Sequence, residues 1–312
     1  MAFHSGFVCI LGRPNAGKST LLNALVGEKV AIVTHKPQTT RNRILGMVNV
    51  PAKKGRTAGQ IVFVDTPGIH KPDSSLNRKM MQEVRVALEG CDLLLLLVDA
   101  AEKFGAGDQF ALKMAQQAGV NTFLVLNKID RLEKPKLLPI IAGYAGMHTF
   151  GEVIPISALK KDGLDLLVQK VIATLPQGPR YFPQDQLTDQ PERFLVAELV
   201  REKILQLTGE EVPYAATVKI DQFEEKPKLT RIAATIFVER DGQKAIIIGK
   251  GGQMLKKIGS AARFEIEKRL ATKVFLELFV KVEPGWRDSP AFVETLDWRR
   301  QLEDLAAKEP NS

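Results

Sequence analysis

Residues 12–19 read Gly12-Arg13-Pro14-Asn15-Ala16-Gly17-Lys18-Ser19, a glycine-rich loop that ends on a lysine and a hydroxyl. The pattern G-x-x-x-x-G-K-[ST] is built to hold nucleotide phosphates. Its main-chain N–H groups turn inward around the anion, and Thr20 opens a helix whose N-terminal dipole adds to the field. Lys18 is placed to reach the β- and γ-phosphates, and the Ser19 hydroxyl to ligate Mg²⁺. The competing reading is a chance turn before a helix. The context argues against it, because the apolar run 7–11 leads in and the helix-like stretch 20–26 leads out.

A second motif reads a base. Asn127-Lys128-Ile129-Asp130 follows the apolar run 122–126. A carboxylate at Asp130 accepts from both the ring N1–H and the exocyclic amine of guanine, and a site built for that pair rejects adenine strongly. Asn127 is expected to tie this loop to the phosphate loop, and the Lys128 stem to cover the base. Ser157-Ala158-Leu159 follows the run 153–156, and the Ala158 N–H is expected at the guanine O6. The ligand implied is GTP or GDP.

Between these motifs lies Asp65-Thr66-Pro67-Gly68, after the run 60–64. Asp65 is expected to hold Mg²⁺ through water, and the Gly68 N–H to bond the γ-phosphate. Loss of that phosphate then frees the loop, an order–disorder switch. Upstream, Gln38-Thr39-Thr40-Arg41 supplies the other switch segment. One threonine must reach Mg²⁺; Thr40 is favoured and Thr39 stays open. Ile69 can neither orient water nor supply charge, so hydrolysis is expected to be slow without help.

Strands and helices must hold these loops. Residues 1–175 alternate apolar runs with amphipathic stretches, which predicts a mainly parallel, doubly wound α/β sheet with helices on both faces. All three nucleotide motifs follow the carboxyl ends of strands, where such sheets bind ligands. Residues 176–191 are rich in proline and poor in aliphatics, so they are expected to be a linker. A second rhythm then begins: a helix over 192–207, strands over 215–223 and 230–239, an apolar segment before Gly249-Lys250-Gly251-Gly252, a helix over 253–271 and a last strand over 273–282. The order α-β-β-α-α-β with a Gly-x-x-Gly turn matches a smaller α+β domain, the type II KH fold, over 192–285. A tail follows over 286–312.

KH domains clamp about four nucleotides of single-stranded RNA over such a turn. Gly249 and Gly252 permit sharp turning and close approach of a nucleic-acid backbone. Lys250 lies inside the turn, and Lys244, Lys256, Lys257 and Arg263 flank it as phosphate contacts. Trp286 and Arg287 either stack on a base or anchor the tail. The whole chain carries 44 Lys and Arg against 36 Asp and Glu, a net charge of +8, which points towards polyanionic partners. No apolar run approaches the ~20 residues that span a bilayer, and no export signal is visible, so a cytoplasmic protein is expected. Cys9 and Cys91, the only cysteines, are read as reduced structural thiols. Two cysteines and four histidines, scattered, form no metal-ligand cluster.

These motifs, with 188–194 (Thr-Asp-Gln-Pro-Glu-Arg-Phe), 197–204 and Glu211-Val212-Pro213-Tyr214, resemble bacterial GTPases of the Era family over nearly the whole chain. The resemblance implies slow, Mg²⁺-dependent GTP hydrolysis, binding near the 3′ end of 16S ribosomal RNA, and a role in maturing the small (30S) ribosomal subunit. It implies that Asn15 helps hold a K⁺ ion that stimulates turnover, alongside Lys18 and Thr40 as the groups acting in catalysis; the alternative is that Asn15 only stiffens the phosphate loop. It also implies loose contact with the inner membrane; a monomer is the default. A basic insert over 51–59 departs from the family pattern. The alternative within the same class is an RNA-binding assembly factor in which nucleotide binding, not hydrolysis, is the functional event. A tRNA-modifying GTPase lacks its further domain here. A P-loop kinase is opposed by Asn127–Asp130 and Asp65–Gly68, and a dead nucleotide site by the presence of Lys18, Ser19 and Asp65.

Overall fold

A computed structural model describes residues 2–36, 38–52, 57–68, 73–209 and 211–306. The chain groups into two compact units. The first takes Met1–Ala31, Thr40–Lys71 and Met80–Asp189; the second takes Ile32–Thr39, Pro72–Lys79 and Gln190–Ser312.

In the first unit the elements run β1 (Phe3–Leu11), α1 (Lys18–Val26), β2 (Ile44–Val50), β3 (Ala58–Asp65), then α2 (Ser75–Glu89), whose first turn belongs to the second unit. β4 (Leu93–Asp99), α3 (Ala106–Ala118), β5 (Thr122–Asn127), α4 (Leu137–Ala145), β6 (Glu152–Pro155) and α5 (Leu164–Thr174) follow. The six strands lie in the order β2-β3-β1-β4-β5-β6, all parallel except β2, which pairs antiparallel with β3. The strands alternate between two cores, as a period of two requires. Val8, Ile10, Phe63, Leu95 and Val125 face one way with α1 and α5. Cys9, Leu11, Val64 and Leu94 face the other way with α2 and α3. All seven residues of β4 are buried, so both faces of that strand are covered.

The stretch expected to be a linker is instead a strap on this sheet through Asp189. Gln60, 0 % exposed within an apolar run, donates to the Phe182 carbonyl and accepts from the Tyr181 and Phe182 N–H groups. Tyr181 packs on Phe7 with ring centroids 5.0 Å apart, and the Met47 N–H donates to the Leu187 carbonyl. A proline-rich composition removed helix and strand as options, but the buried amide of Gln60 still demanded partners. Of the insert expected at 51–59, residues 53–56 lie outside the described residues. Ala58 and Gly59 already belong to β3, paired with Phe3 and His4.

The second unit holds α6 (Glu192–Leu207), β7 (Thr217–Lys226), β8 (Leu229–Val238), α7 (Asp241–Ile248), α8 (Gln253–Leu270), β9 (Val274–Val282), α9 (Pro290–Thr295) and α10 (Trp298–Ala306). β7 and β8 pair antiparallel, and β8 and β9 parallel across the α7–α8 crossover. Val200, Ile204, Ile232, Ile236, Ile258 and Ile266 form the core between sheet and helices. This is the expected α-β-β-α-α-β order. Residues 286–298 are no loose tail: Trp286 is 0 % exposed, packs on Phe292 at 5.8 Å, and donates its indole N–H to the Ala215 carbonyl at 2.8 Å. Of the two readings left open for Trp286, the structure takes the anchor.

Trp286→Phe keeps an aromatic ring but leaves the Ala215 carbonyl buried without its donor, a cost of about 1–3 kcal/mol. Amide exchange through β7 and β8 in the full chain should then accelerate, by roughly five- to 150-fold where opening limits it. Unchanged protection would show that the indole hydrogen bond contributes nothing.

Candidate functional site

The phosphate loop spans the end of β1 and the start of α1. Its shape needs two left-handed residues, Asn15 at φ 63° and Gly17 at φ 99°. Asparagine tolerates that region better than most side-chain-bearing residues. A Cβ on Gly17 would overlap the Asn127 carboxamide, and one on Gly12 the Leu97 carbonyl. Lys18 is 6 % exposed and donates to the carbonyls of Gly12 at 3.0 Å and Arg13 at 3.2 Å. Those two acceptors use two of the three donors an ammonium carries. Burial pushes the Lys18 pKa down, opposed by the Asp65 carboxylate. An anion bound at the loop would add to the counter-charge that Asp65 provides. Arg13 pairs with Asp108 at 3.5 Å, while Pro14, Ala16 and Thr20 complete the turn into α1.

Three oxygens gather beside Lys18. The Ser19 hydroxyl donates to Asp65 Oδ2 at 2.7 Å and meets the Thr40 hydroxyl at 2.8 Å. The neighbouring Thr39 hydroxyl is used locally instead, donating to the Lys36 carbonyl at 2.6 Å. The geometry therefore separates the two threonines and brings Thr40 to the cluster. Asp65 is wholly buried, and its Oδ1 has no hydrogen-bond partner among the described residues. Burial raises its pKa to about 6, against the lowering effects of Lys18, Ser19 and Thr40. Two hydroxyls around an orphaned buried carboxylate oxygen are a hard, all-oxygen donor set of the kind Mg²⁺ takes. Thr66 turns inward, donating to the Ile10 carbonyl at 2.8 Å, and Pro67 and Gly68 follow. Ile69 lies outside the described residues.

The base loop is tied to the phosphate loop by one amide. Asn127 donates to the Ala16 carbonyl at 2.8 Å and accepts from the Ala158 N–H at 3.0 Å. The Ala158 N–H, expected at guanine O6, is thus satisfied by Asn127, as a buried donor must be by some acceptor. Lys128, left-handed at φ 66°, donates to the Asn15 carbonyl at 2.8 Å and to Asp99 at 2.6 Å. Its stem therefore lies between the two loops. The Ser157 hydroxyl donates to Asp130 at 2.5 Å and orients that exposed carboxylate. The Leu159 side chain is 73 % exposed at the rim.

The residue that sequence reasoning missed is Arg201, within the second unit. It is 1 % exposed and donates to the main-chain carbonyls of Gln38 (at 3.3 Å) and Thr39, immediately before Thr40. Glu198 pairs with it at 2.7 Å. Gln38, at φ 58°, also donates to Asn77 of α2 at 3.1 Å. An arginine inside a helix that is buried on nearly all sides carries no local signal of such a role.

The turn between α7 and α8 has three left-handed glycines: Gly249 (φ 70°), Gly251 (φ 58°) and Gly252 (φ 77°). A Cβ on Gly249 would crowd Met254, whereas positions 251 and 252 face open space. Lys250, Lys256 and Lys257 are exposed in the turn and the first turns of α8, Arg263 is exposed further along α8, and Lys244 is half-buried. This leaves glycine backbone bare beside a cluster of cations.

Comparison with known proteins follows the same division. Residues 7–128 match the family described as 50S ribosome-binding GTPase, and residues 211–287 the KH domain family. GTPase Era of Geobacter metallireducens is 53 % identical over 298 residues, covering 95 % of this chain and 98 % of that protein. GTPase Era of Syntrophus aciditrophicus is 50 % identical, covering 92 % and 93 %. Two crystal structures superpose with a TM-score of 0.90 at 42 % identity, covering 95 % of this chain and 99 % of each: a tyrosine-to-alanine variant of Aquifex aeolicus Era bound to GDP·AlF4⁻, and Era in complex with MgGDPNP and nucleotides 1506–1542 of 16S ribosomal RNA.

Asp65 titrates in the folded chain near 6, above its ordinary 3.8. A raised carboxyl contributes stability that is present below the unfolded value and lost as pH rises through the folded one. In metal-free protein, Asp65→Asn should therefore stabilise the fold near neutral pH, by at most about 3 kcal/mol, and not below about pH 4. Mg²⁺ binding to the unsubstituted chain should weaken as pH falls through about 6. Thermal unfolding against pH, with chelator and with Mg²⁺, reads both; a variant no more stable at neutral pH would refute the burial argument.

Proposed function

The chain belongs to the family of Era GTPases, and from that premise we propose how its residues divide the work: Gly12 to Thr20 and the cluster beside them bind and hydrolyse GTP, and the Gly249–Gly252 turn holds 16S ribosomal RNA during assembly of the 30S subunit. The observation that carries the first half is the meeting of Ser19, Thr40 and Asp65 beside the buried ammonium of Lys18. The loop N–H groups and Lys18 bind the β- and γ-phosphates and stabilise the charge that develops on the transferred group. Ser19 and Thr40 offer hydroxyl ligands to Mg²⁺, with the Asp65 carboxylate beside them. Mg²⁺, when bound, neutralises charge on the bridging and terminal oxygens. Asp130, aimed by Ser157, accepts from N1–H and the exocyclic amine of guanine. Thr66, Pro67 and Gly68 form the segment that answers to the γ-phosphate.

The RNA half is supported by bare glycine backbone in a cationic surround, with Lys244, Lys250, Lys256, Lys257 and Arg263 as phosphate contacts. We read the chain as a cytoplasmic monomer. Contact with the inner membrane has only the net charge of +8 behind it, and no helix among the described residues is long and apolar enough to cross a membrane.

Phosphate release should be seen with GTP and not with ATP. It should be faster in K⁺ than in Na⁺ if Asn15 helps hold the ion. Asn15→Gly tests this, because alanine at φ 63° would strain the loop as well as remove the side chain. Equal turnover of GTP and ATP would overturn the base assignment, and equal rates in K⁺ and Na⁺ the role of Asn15.

The nucleotide state should reach the RNA-binding unit through residues 38–40. Arg201 holds the two carbonyls before Thr40, so Arg201→Met should shrink the difference in RNA affinity between GDPNP- and GDP-loaded protein. Coupling is reciprocal, so RNA should lose the same factor in its effect on GDPNP affinity. Identical RNA affinity in both nucleotide states of the unsubstituted chain would remove the coupling altogether.

A further inference from the structure

Three consecutive charged residues of α6, Arg201, Glu202 and Lys203, are buried. Successive helical positions point about 100° apart, so one apolar face cannot account for all three. A charge leaves water only at a cost unless it is paired. Arg201 serves the carbonyls of Gln38 and Thr39. Glu202, 1 % exposed, takes another part of the same segment: its Oε1 accepts from the Val33 N–H at 3.0 Å. Its Oε2 accepts from Lys203 at 3.2 Å, and Lys203 also reaches Glu265 of α8 at 3.5 Å. Two neighbours on one helix thus grip both ends of the segment from Val33 to Thr39.

Between those ends the segment is closed on itself. The Lys36 N–H donates to the Thr34 hydroxyl at 3.1 Å, and the Thr39 hydroxyl donates to the Lys36 carbonyl at 2.6 Å. The two hydroxyls meet at 2.8 Å. Thr39 has spent its proton on Lys36, so Thr34 is the donor between them. Thr34 and Thr39 therefore form the neck of a small loop, and α6 holds the chain at both sides of that neck. From Thr39 the chain passes directly into Thr40, whose hydroxyl meets Ser19 at 2.8 Å. We propose that Glu202 is a positioning residue for GTP hydrolysis. It fixes the near side of the neck at Val33, as Arg201 fixes the far side, and so presents Thr40 to the Mg²⁺ site before nucleotide arrives. Without it the loop is ordered only on binding, and that ordering subtracts from affinity. The loss falls on the triphosphate state alone, because a switch segment of this kind is held by the γ-phosphate and Mg²⁺ and released without them. This rests on the reading of Thr40 as a Mg²⁺ ligand.

The test is calorimetric titration of the full chain with MgGDPNP and with MgGDP, alongside single-turnover hydrolysis of GTP. Variants are Glu202→Met, Glu202→Gln and Thr40→Val, each checked by thermal melting. Glu202→Met removes a hydrogen bond to a charged group, so GDPNP affinity and the hydrolysis rate should each fall roughly tenfold while GDP affinity is unchanged. Glu202→Gln keeps an oxygen for the Val33 N–H and should retain most of both. Should Glu202→Met fail to fold, an ester in place of the amide at Val33, introduced as the α-hydroxy acid analogue of valine, removes the donor and leaves α6 unaltered, with the same loss expected. Equal loss of GDPNP and GDP affinity, or no loss of either, overturns the proposal. So does a Glu202→Gln protein as weak as Glu202→Met. If Thr40→Val leaves the preference for GDPNP over GDP unchanged, the Mg²⁺ role of Thr40 falls, and the positioning role with it. If Thr40→Val lowers that preference while Glu202→Met and the ester do not, only the role of Glu202 falls.

Discussion

One carboxamide, that of Asn127, holds the nucleotide end of the molecule together. It is 2 % exposed, and both of its ends are spent: the amide on the Ala16 carbonyl and the oxygen on the Ala158 N–H. Three separate stretches of chain thereby become one surface. Replacing it with an apolar side chain would leave two buried main-chain groups orphaned, at about 1–3 kcal/mol each. It also explains Gly17, because the amide occupies the space a Cβ would need. The glycine and the asparagine are two halves of one steric requirement.

The sheet makes that arrangement rigid and the charges make it responsive. Asp65, Asp99, Asn127 and Ser157 all stand at or just beyond the carboxyl ends of strands, where apolar packing stops and polar groups must find other partners. Lys18 and Asp65 are both kept from water, and burial moves both towards neutrality. A polyanion with a divalent cation relieves both at once. Binding therefore offsets the desolvation that both groups bear. Nearby, Lys128 bridges Asp99 and the Asn15 carbonyl, so the base-reading loop and the phosphate loop are expected to move as one piece.

How much of this could be read from the chain depended on distance along it. The phosphate loop, Asp65–Gly68, Asn127–Asp130 and the Gly249–Gly252 turn were legible because each is a local backbone requirement written in glycine, asparagine or aspartate. The strands were legible because fully covered β-strands must be continuously apolar. Their ends were less so: β1 starts four residues earlier than its apolar run, since Phe3 to Gly6 are held by pairing to β3 and not by their own hydrophobicity. The strap over residues 176–189 was missed, although Gln60 inside an apolar strand was a faint sign that something polar must cover it. Arg201 was invisible, because beyond its local pair with Glu198 the carbonyls it serves lie more than 160 residues away. Thr39 and Thr40 are chemically alike, and what tells them apart is the local turn that occupies Thr39 and the Ser19 hydroxyl that meets Thr40.

The grouping of Ile32–Thr39 and Pro72–Lys79 with Gln190–Ser312 bears on how such a protein can evolve. Two patches of primary structure from the early part of the gene complete a fold encoded mostly at its end. A recombination break near residue 190 would separate Arg201 from the carbonyls it serves and leave a desolvated guanidinium with half its acceptors gone. The two halves are therefore poor candidates for shuffling as independent cassettes, and descent should tend to keep them linked in one reading frame.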